Sequence, residues 1–260
     1  MREIISIINQ KGGVGKSTTS HALGSGLANR GFKVLFVDLD GQGNLSQTLN
    51  ADNAKFSILD VLLNKVPAKN AICSAGDRDV LASSPSLAGA DTLIVEVGKE
   101  FRLKEALEPL HNQYDYIILD TPPALGILTV NALAASTGVI IPSQADIYSL
   151  QGIDQLVGTI DTVKKYCNPE LIIKGILITR YNGRTVLTRD ITEIIQHKAQ
   201  ELGAVFYKNP IRESISIKEA QVSRVNIFQY APKSKAAEDY ESFVEEVLQE
   251  RRYKHEQKKF

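Results

Sequence analysis

Unbroken apolar runs alternate with helix-spaced ones along most of the chain. "EIISIIN" (3–9), "KVLFVDLD" (33–40), "YDYIILD" (114–120), "GVIIPS" (138–143) and "IIKGILITRY" (172–181) are rich in Ile, Val and Leu. Strands buried on both faces read this way, and such strands belong to parallel sheets. Helices are predicted between them at 17–30, 99–111, 127–136, 149–166 and 187–202, with Gly31 as the C-cap of the first. A last helix starts near Ser234, where Ala236/Ala237, Tyr240, Phe243/Val244 and Val247/Leu248 recur at three- and four-residue spacing. The alternation predicts one doubly wound α/β domain over residues 1–250, with a mostly parallel central sheet and helices on both faces. Residues 251–260 are expected to form a basic, solvated tail.

Composition narrows the function. The 260 residues carry 30 Lys+Arg and 30 Asp+Glu, so a uniformly basic nucleic-acid coat is excluded. The charge is regional, however. Residues 171–235 hold eleven Lys/Arg against five Asp/Glu. Cys73 and Cys167 lie far apart without C-x-x-C spacing, and the four histidines lack metal-ligand spacing. No secretory signal or membrane span is visible, so a cytoplasmic location is expected.

The chemistry starts in "INQKGGVGKSTTSHALG", between a buried strand and a helix start. Gly12, Gly13 and Gly15 let the backbone wrap so that N–H groups face phosphate oxygens, and the following helix adds its positive end. Lys16 is expected on the β/γ-phosphates, Ser17 on Mg²⁺ and Thr18 on the α-phosphate of a nucleotide, with Val14 inside the binding loop. The motif departs from a plain phosphate loop: Gln10 replaces its opening glycine, and a second cation, Lys11, stands at the mouth. Asp120 ends the strand "YIILD" at the ligand crevice, where it can hold a water on Mg²⁺. Asp38 and Asp40 close "KVLFVDLD" and share a strand face if the strand persists that far. One serves the loop and Mg²⁺ shell and the other orients the attacking water, for which Asp40 is better placed; Asp40 is also a candidate for the Mg²⁺ shell, with Ser17 and Asp120.

Together with "DLDGQGN", "ILDTPP", "IIPSQADIYSLQGIDQL", "IRESISIKEA" and "YAPKSKAAEDY", this loop resembles the ParA-type partition ATPases, a group of deviant P-loop NTPases that also includes MinD. Two positions differ from the usual pattern. Gly41 replaces a common proline, which implies a looser switch segment when empty, and Arg212 stands where many relatives have proline. The resemblance implies an ATP- and Mg²⁺-dependent ATPase forming an ATP-sandwich homodimer. In it Lys11 would reach the phosphates of the partner's nucleotide and act with Lys16 and Asp40 in hydrolysis. It further implies non-specific DNA binding at the nucleoid, release stimulated by a ParB-like centromere-binding protein, and adenine contact in the region of Asn182. Arg184, Arg189, Lys218, Arg224, Lys233 and Lys235 are the candidate phosphate-tracking cations within the basic region. The first strand begins by Ile4, so an N-terminal helix-turn-helix and operator-specific binding are not expected.

The rival readings make different demands. A MinD-like membrane-positioning ATPase needs a terminal amphipathic helix, and the tail after Leu248 offers only Tyr253 and Phe260 as bulky apolar residues. A cluster-bearing reductase needs cysteines at a dimer axis, which Cys73 and Cys167 do not suggest.

Overall fold

The protein is described here by a computed structural model covering residues 3–76 and 78–257, with side chains described through residue 250. Eight strands form one sheet: β1 Glu3–Ile7, β2 Val34–Asp38, β3 Ile72–Ala75, β4 Arg78–Leu81, β5 Tyr116–Asp120, β6 Gly138–Ser143, β7 Ile172–Ile178 and β8 Val205–Phe206. Their spatial order is β3-β4-β2-β5-β1-β6-β7-β8. All neighbours are parallel except β3, which folds back antiparallel on β4. The five long apolar runs are the five longest strands, though several end earlier than their hydrophobicity suggests. β2 stops at Asp38, for example, and β7 at Ile178.

The chain crosses the sheet through α1 Lys16–Ala28, α2 Asn44–Thr48, α3 Ile58–Leu62, α4 Ala68–Ala71, α5 Ala90–Leu93, α6 Arg102–Leu107 and α7 Ile127–Ala135. It continues through α8 Ile147–Tyr166, α9 Val186–Glu201, α10 Ile215–Val222, α11 Ile227–Tyr230 and α12 Lys235–Gln257. Strand residues alternate between the two faces. Ile5, Ile7, Phe36, Tyr116, Ile118, Ile140 and Leu177 face α1 and α12. Leu35, Val37, Ile117 and Leu119 face the layer built from α3 to α7. Val139, Ile141, Ile176 and Ile178 face α8 and α9, which present Ile153, Leu156, Ile160 and Val163, and Ile191, Ile195 and Ala199. The recurrence every three or four residues is the stripe an amphipathic helix buries.

α1 is the central helix and is enclosed on nearly every side. Two glycines make that possible. A Cβ at Gly24 would lie 2.2 Å from Phe36, and one at Gly26 would lie 2.7 Å from Val244. Gly31 takes φ +84 just after the helix, the C-cap geometry its position suggests. α12 turns Ala236, Ala237, Tyr240, Phe243, Val244 and Val247 into the core, so this apolar face is covered. Its backbone stays helical through Gln257, into the segment expected as a tail; residues 258–260 and the side chains from 251 lie outside the described residues. Among the described residues no helix is long and apolar enough to cross a membrane.

Lys174 on β7 is an internal cation, 4 % exposed. It bonds Glu3 at 2.9 Å and lies 3.7 Å from Glu250 at the end of the sheet away from the phosphate loop. Such a charge is tolerable only with its partners in place.

His21, on the buried side of α1, packs edge-on near Phe36. Burial, aided by the Arg78 charge, pushes its pKa down to about 3. An unfolded histidine titrates near about 6.5. Between these values the unfolded chain binds a proton that the folded chain refuses, so stability falls as the pH drops through that window. The His21→Leu variant should lose less stability than wild type between about pH 6.5 and about pH 4, read as the shift of the urea midpoint.

Candidate functional site

The first βα turn is held from outside by its carbonyls. Asn9 is buried; its amide donates to Pro142 O at 2.8 Å and its Oδ1 accepts the Lys11 N–H at 2.9 Å. Gly13 O accepts the Gln144 amide at 3.2 Å and Arg180 at 3.4 Å. Val14, fully buried, gives its carbonyl to Thr179 Oγ1 at 2.7 Å. With these oxygens and the Lys11 N–H engaged, the later N–H groups of the loop are left for an anion. Gly13 and Gly15 sit at φ +74 and +85, backbone that L side chains rarely adopt. α1 then begins with Gly15 as N-cap and no side-chain cap, leaving its first N–H groups available to a ligand.

Lys16 is 7 % exposed, and its ammonium donates to Lys11 O at 3.1 Å. Burial lowers its pKa, while Asp120 and Asp40 oppose that shift. Thr18 Oγ1 accepts the Gln221 amide at 2.8 Å. The Lys11 ammonium pairs with Asp146 of its own chain.

The carboxylates come from neighbouring strands. Asp38 and Asp120 are register partners at the ends of β2 and β5, and both are fully buried. Asp38 accepts the Ser46 N–H at 2.8 Å, the Ser46 hydroxyl at 2.7 Å and the Asp40 N–H at 3.1 Å. Asp120 Oδ1 accepts the Ser20 hydroxyl at 3.1 Å, whereas its Oδ2 is buried without a hydrogen-bond partner. Burial pushes both carboxyls up; the Asp40 charge raises Asp38 further, and the Asp38 charge raises Asp120.

Asp40 is not in the strand. β2 ends two residues before it, so the expected shared strand face does not exist. Asp40 sits in the following turn, held by its Oδ1 accepting Gln42 N–H at 3.0 Å and by the Ser83 hydroxyl on its carbonyl. It faces a cavity of about 730 Å³ together with Gly12, Gly13, Gly15, Lys16, Ser17 and Thr18. Gly41 lies under the Pro85–Gly89 turn, where a Cβ would come within 3.3 Å of Ala88 N. Its missing side chain thus permits a close contact at a position where the sequence suggested looseness.

The donor set fits Mg²⁺. An orphaned buried carboxylate oxygen lies beside a phosphate-type loop, and the Ser17 hydroxyl also favours the ionised form of Asp120. No group of three or more His, Cys, Asp or Glu suited to a metal occurs among the described residues. Mg²⁺ suits such a site, because it is bound through one or two carboxylates plus phosphate oxygens and water.

A second recess of about 180 Å³ adjoins the loop, lined by Gly13, Thr18, Thr179, Ile211, Arg212, Ile217 and Tyr240 among others. One wall is clamped: Arg212 gives its backbone N–H, Nε and Nη2 to Asp239, at 3.1, 2.7 and 2.6 Å. Asn182 lines neither cavity; its Oδ1 accepts Arg184 N–H at 3.3 Å within its own turn.

The six candidate DNA cations are divided by the fold. Arg224 lines the phosphate cavity and bonds Asp52 at 3.1 Å. Lys218 lines the adjoining recess and lies 3.8 Å from Glu213. Arg184, Arg189, Lys233 and Lys235 are exposed, as is Lys218. Sequence reasoning missed Ser46, Gln144, Thr179, Gln221 and Asp239, which contribute by hydrogen bonds across the fold. Asp146, an Asp opening a helix, carried a readable N-cap signal.

A family model described as an AAA domain matches residues 2–173. Sporulation initiation inhibitor protein Soj of Bacillus subtilis is 40% identical over 252 residues, covering 95% of this chain and 98% of that protein. Chromosome partitioning protein ParA of Myxococcus xanthus is 38% identical over 255 residues, covering 94% of this chain and 87% of that protein. A solved structure titled cobyrinic acid a,c-diamide synthase from Mycobacterium smegmatis, with bound ATP analog and magnesium, superposes with a TM-score of 0.82 at 33% identity, covering 95% of each chain.

Ser46 joins Asp38 to the switch turn, since its hydroxyl also accepts Ser83 N–H at 2.9 Å. Ser46→Ala removes a donor from a buried carboxylate and an acceptor from a backbone N–H. It should destabilise the protein by about 1–3 kcal/mol, read by urea denaturation.

Proposed function

This chain belongs to the Soj/ParA family of partition ATPases, and on that premise we propose an ATP-gated, DNA-binding cycle for it. It hydrolyses ATP with Mg²⁺. The observation that carries the reading is the shared cavity. The phosphate loop, Lys16 and Asp40 face one space, with the buried Asp38–Asp120 pair at the strand ends behind it.

Loop N–H groups and Lys16 hold the triphosphate, Thr18 exchanges Gln221 for phosphate, and the base enters the recess beside Ile211 and Arg212. Bound Mg²⁺ would neutralise phosphate charge, held through Ser17 and, by way of water, Asp120. Asp38 anchors the switch turn through Ser46, and Asp40 at the cavity wall orients the attacking water.

Lys11 acts in trans. Two protomers presenting triphosphates face to face repel each other, and a cation delivered from each to the other's phosphates offsets that repulsion. The dimer doubles the number of cations offered to a DNA backbone, which steepens affinity and its salt dependence. Arg184, Arg189, Lys218, Lys233 and Lys235 are the exposed candidates for that contact. A ParB-like partner stimulates hydrolysis and thereby release from the nucleoid. The apolar face of α12 is covered, which gives no support to a membrane-positioning role.

The test is DNA binding by fluorescence anisotropy with ATP and with ADP. Wild type should bind only with ATP, and Lys16→Ala should not bind. Lys11→Ala should retain nucleotide but lose ATP-dependent pairing or turnover, while Asp40→Ala should stay on DNA because hydrolysis stops. Equal binding by all four proteins with either nucleotide would overturn the cycle.

A further inference from the structure

Lys11 is already engaged within its own protomer. Its ammonium pairs with the Asp146 carboxylate, and these side chains are 37 % and 32 % exposed. Asp146 is anchored in turn: it N-caps α8, accepting the Tyr148 and Ser149 N–H groups at 3.1 Å each. Gln144, two residues earlier, bonds Gly13 O on the same loop. The 144–146 segment therefore grips the phosphate loop at two points. Immediately after it, Ile147 and Tyr148 stand 68 % and 74 % exposed, apolar surface beside the gripped lysine.

We propose that Asp146 is a cis latch on Lys11, an internal acceptor that competes with a second copy's phosphates for the same ammonium and so sets the threshold for ATP-dependent pairing. The proposal rests on the reading of Lys11 as a trans-acting cation. One ammonium carries one charge, and the geometry that satisfies Asp146 in cis holds that charge on its own protomer. A triphosphate offers more negative charge than a single carboxylate and wins when a second copy brings it within reach. Nucleotide also loosens the loop from inside. Lys16 donates to Lys11 O, and phosphate draws that donor away. Each new partner thus takes over a bond that the resting loop makes with itself.

The pair is half-exposed, so its loss is expected to shift the equilibrium by about two- to five-fold per protomer. A symmetric dimer opens two latches, and the factors multiply to about 4- to 25-fold. Asp146→Asn separates the latch from the cap, because Asn caps a helix as well as Asp does. Asp146→Ser provides a second cap-retaining variant should the first fold poorly.

Analytical ultracentrifugation with AMPPNP and Mg²⁺, and with ADP, reads the outcome. Asp146→Asn should dimerise with AMPPNP at about 4- to 25-fold lower protein concentration than wild type, and both should stay monomeric with ADP. The gain should vanish in a Lys11→Ala background. Unchanged or weaker pairing of both cap-retaining variants would overturn the latch, as would the same gain without Lys11. A wild type that binds AMPPNP yet stays monomeric would defeat the trans-cation reading itself, a result distinct from failure of the latch alone.

Discussion

The Asp38–Asp120 register is the constraint on which the site depends. Two carboxylates fully removed from water end adjacent parallel strands. Like charges so placed cannot both ionise comfortably, and burial raises both. The surroundings answer with directed partners. Ser46 and the Asp40 N–H serve Asp38, while Ser20 serves Asp120 and the Lys16 charge favours its ionised form. What remains is one orphaned oxygen beside a phosphate loop. That imbalance makes the centre receptive to a divalent cation and a nucleotide, and the switch turn is bonded directly into it.

The loop in its resting form is bonded to itself and to neighbouring strand ends. Lys16 holds the Lys11 carbonyl, Lys11 holds Asp146, Thr18 holds Gln221, and the Gly13 and Val14 carbonyls are held by Gln144, Arg180 and Thr179. The carbonyl contacts can persist when a ligand arrives, because they lie on the outside of the turn. The Lys16 and Thr18 contacts are those a bound triphosphate would compete for. Nucleotide binding is then an exchange of partners at the loop's own side chains.

The two departures from the family pattern have local physical reasons. Gly41 permits the Pro85–Gly89 turn to approach the switch backbone, where a Cβ would be crowded. Arg212 replaces a rigid residue with a clamped one, its backbone N–H and guanidinium both fixed by Asp239. A proline restricts its own φ and lacks that N–H; here a buried carboxylate supplies the restraint from α12.

Sequence alone determined the five long strands, the main helices and the phosphate loop. Strands buried on both faces must be apolar throughout, and the loop's chemistry lies in consecutive residues. It did not reveal β3, β4 and β8, because strands of two to four residues such as "RDVL" carry too few apolar residues to stand out. Tertiary structure decided which strands are neighbours, and hence which side chains meet. Asp38 finds Asp120 because β2 lies beside β5, Lys11 finds Asp146 because β6 lies beside β1, and Thr18 meets Gln221 across 203 positions. It also separated Asp40 from the strand and Asn182 from both cavities. A local pattern fixes what a residue can do, but strand order fixes what lies within hydrogen-bond reach of it.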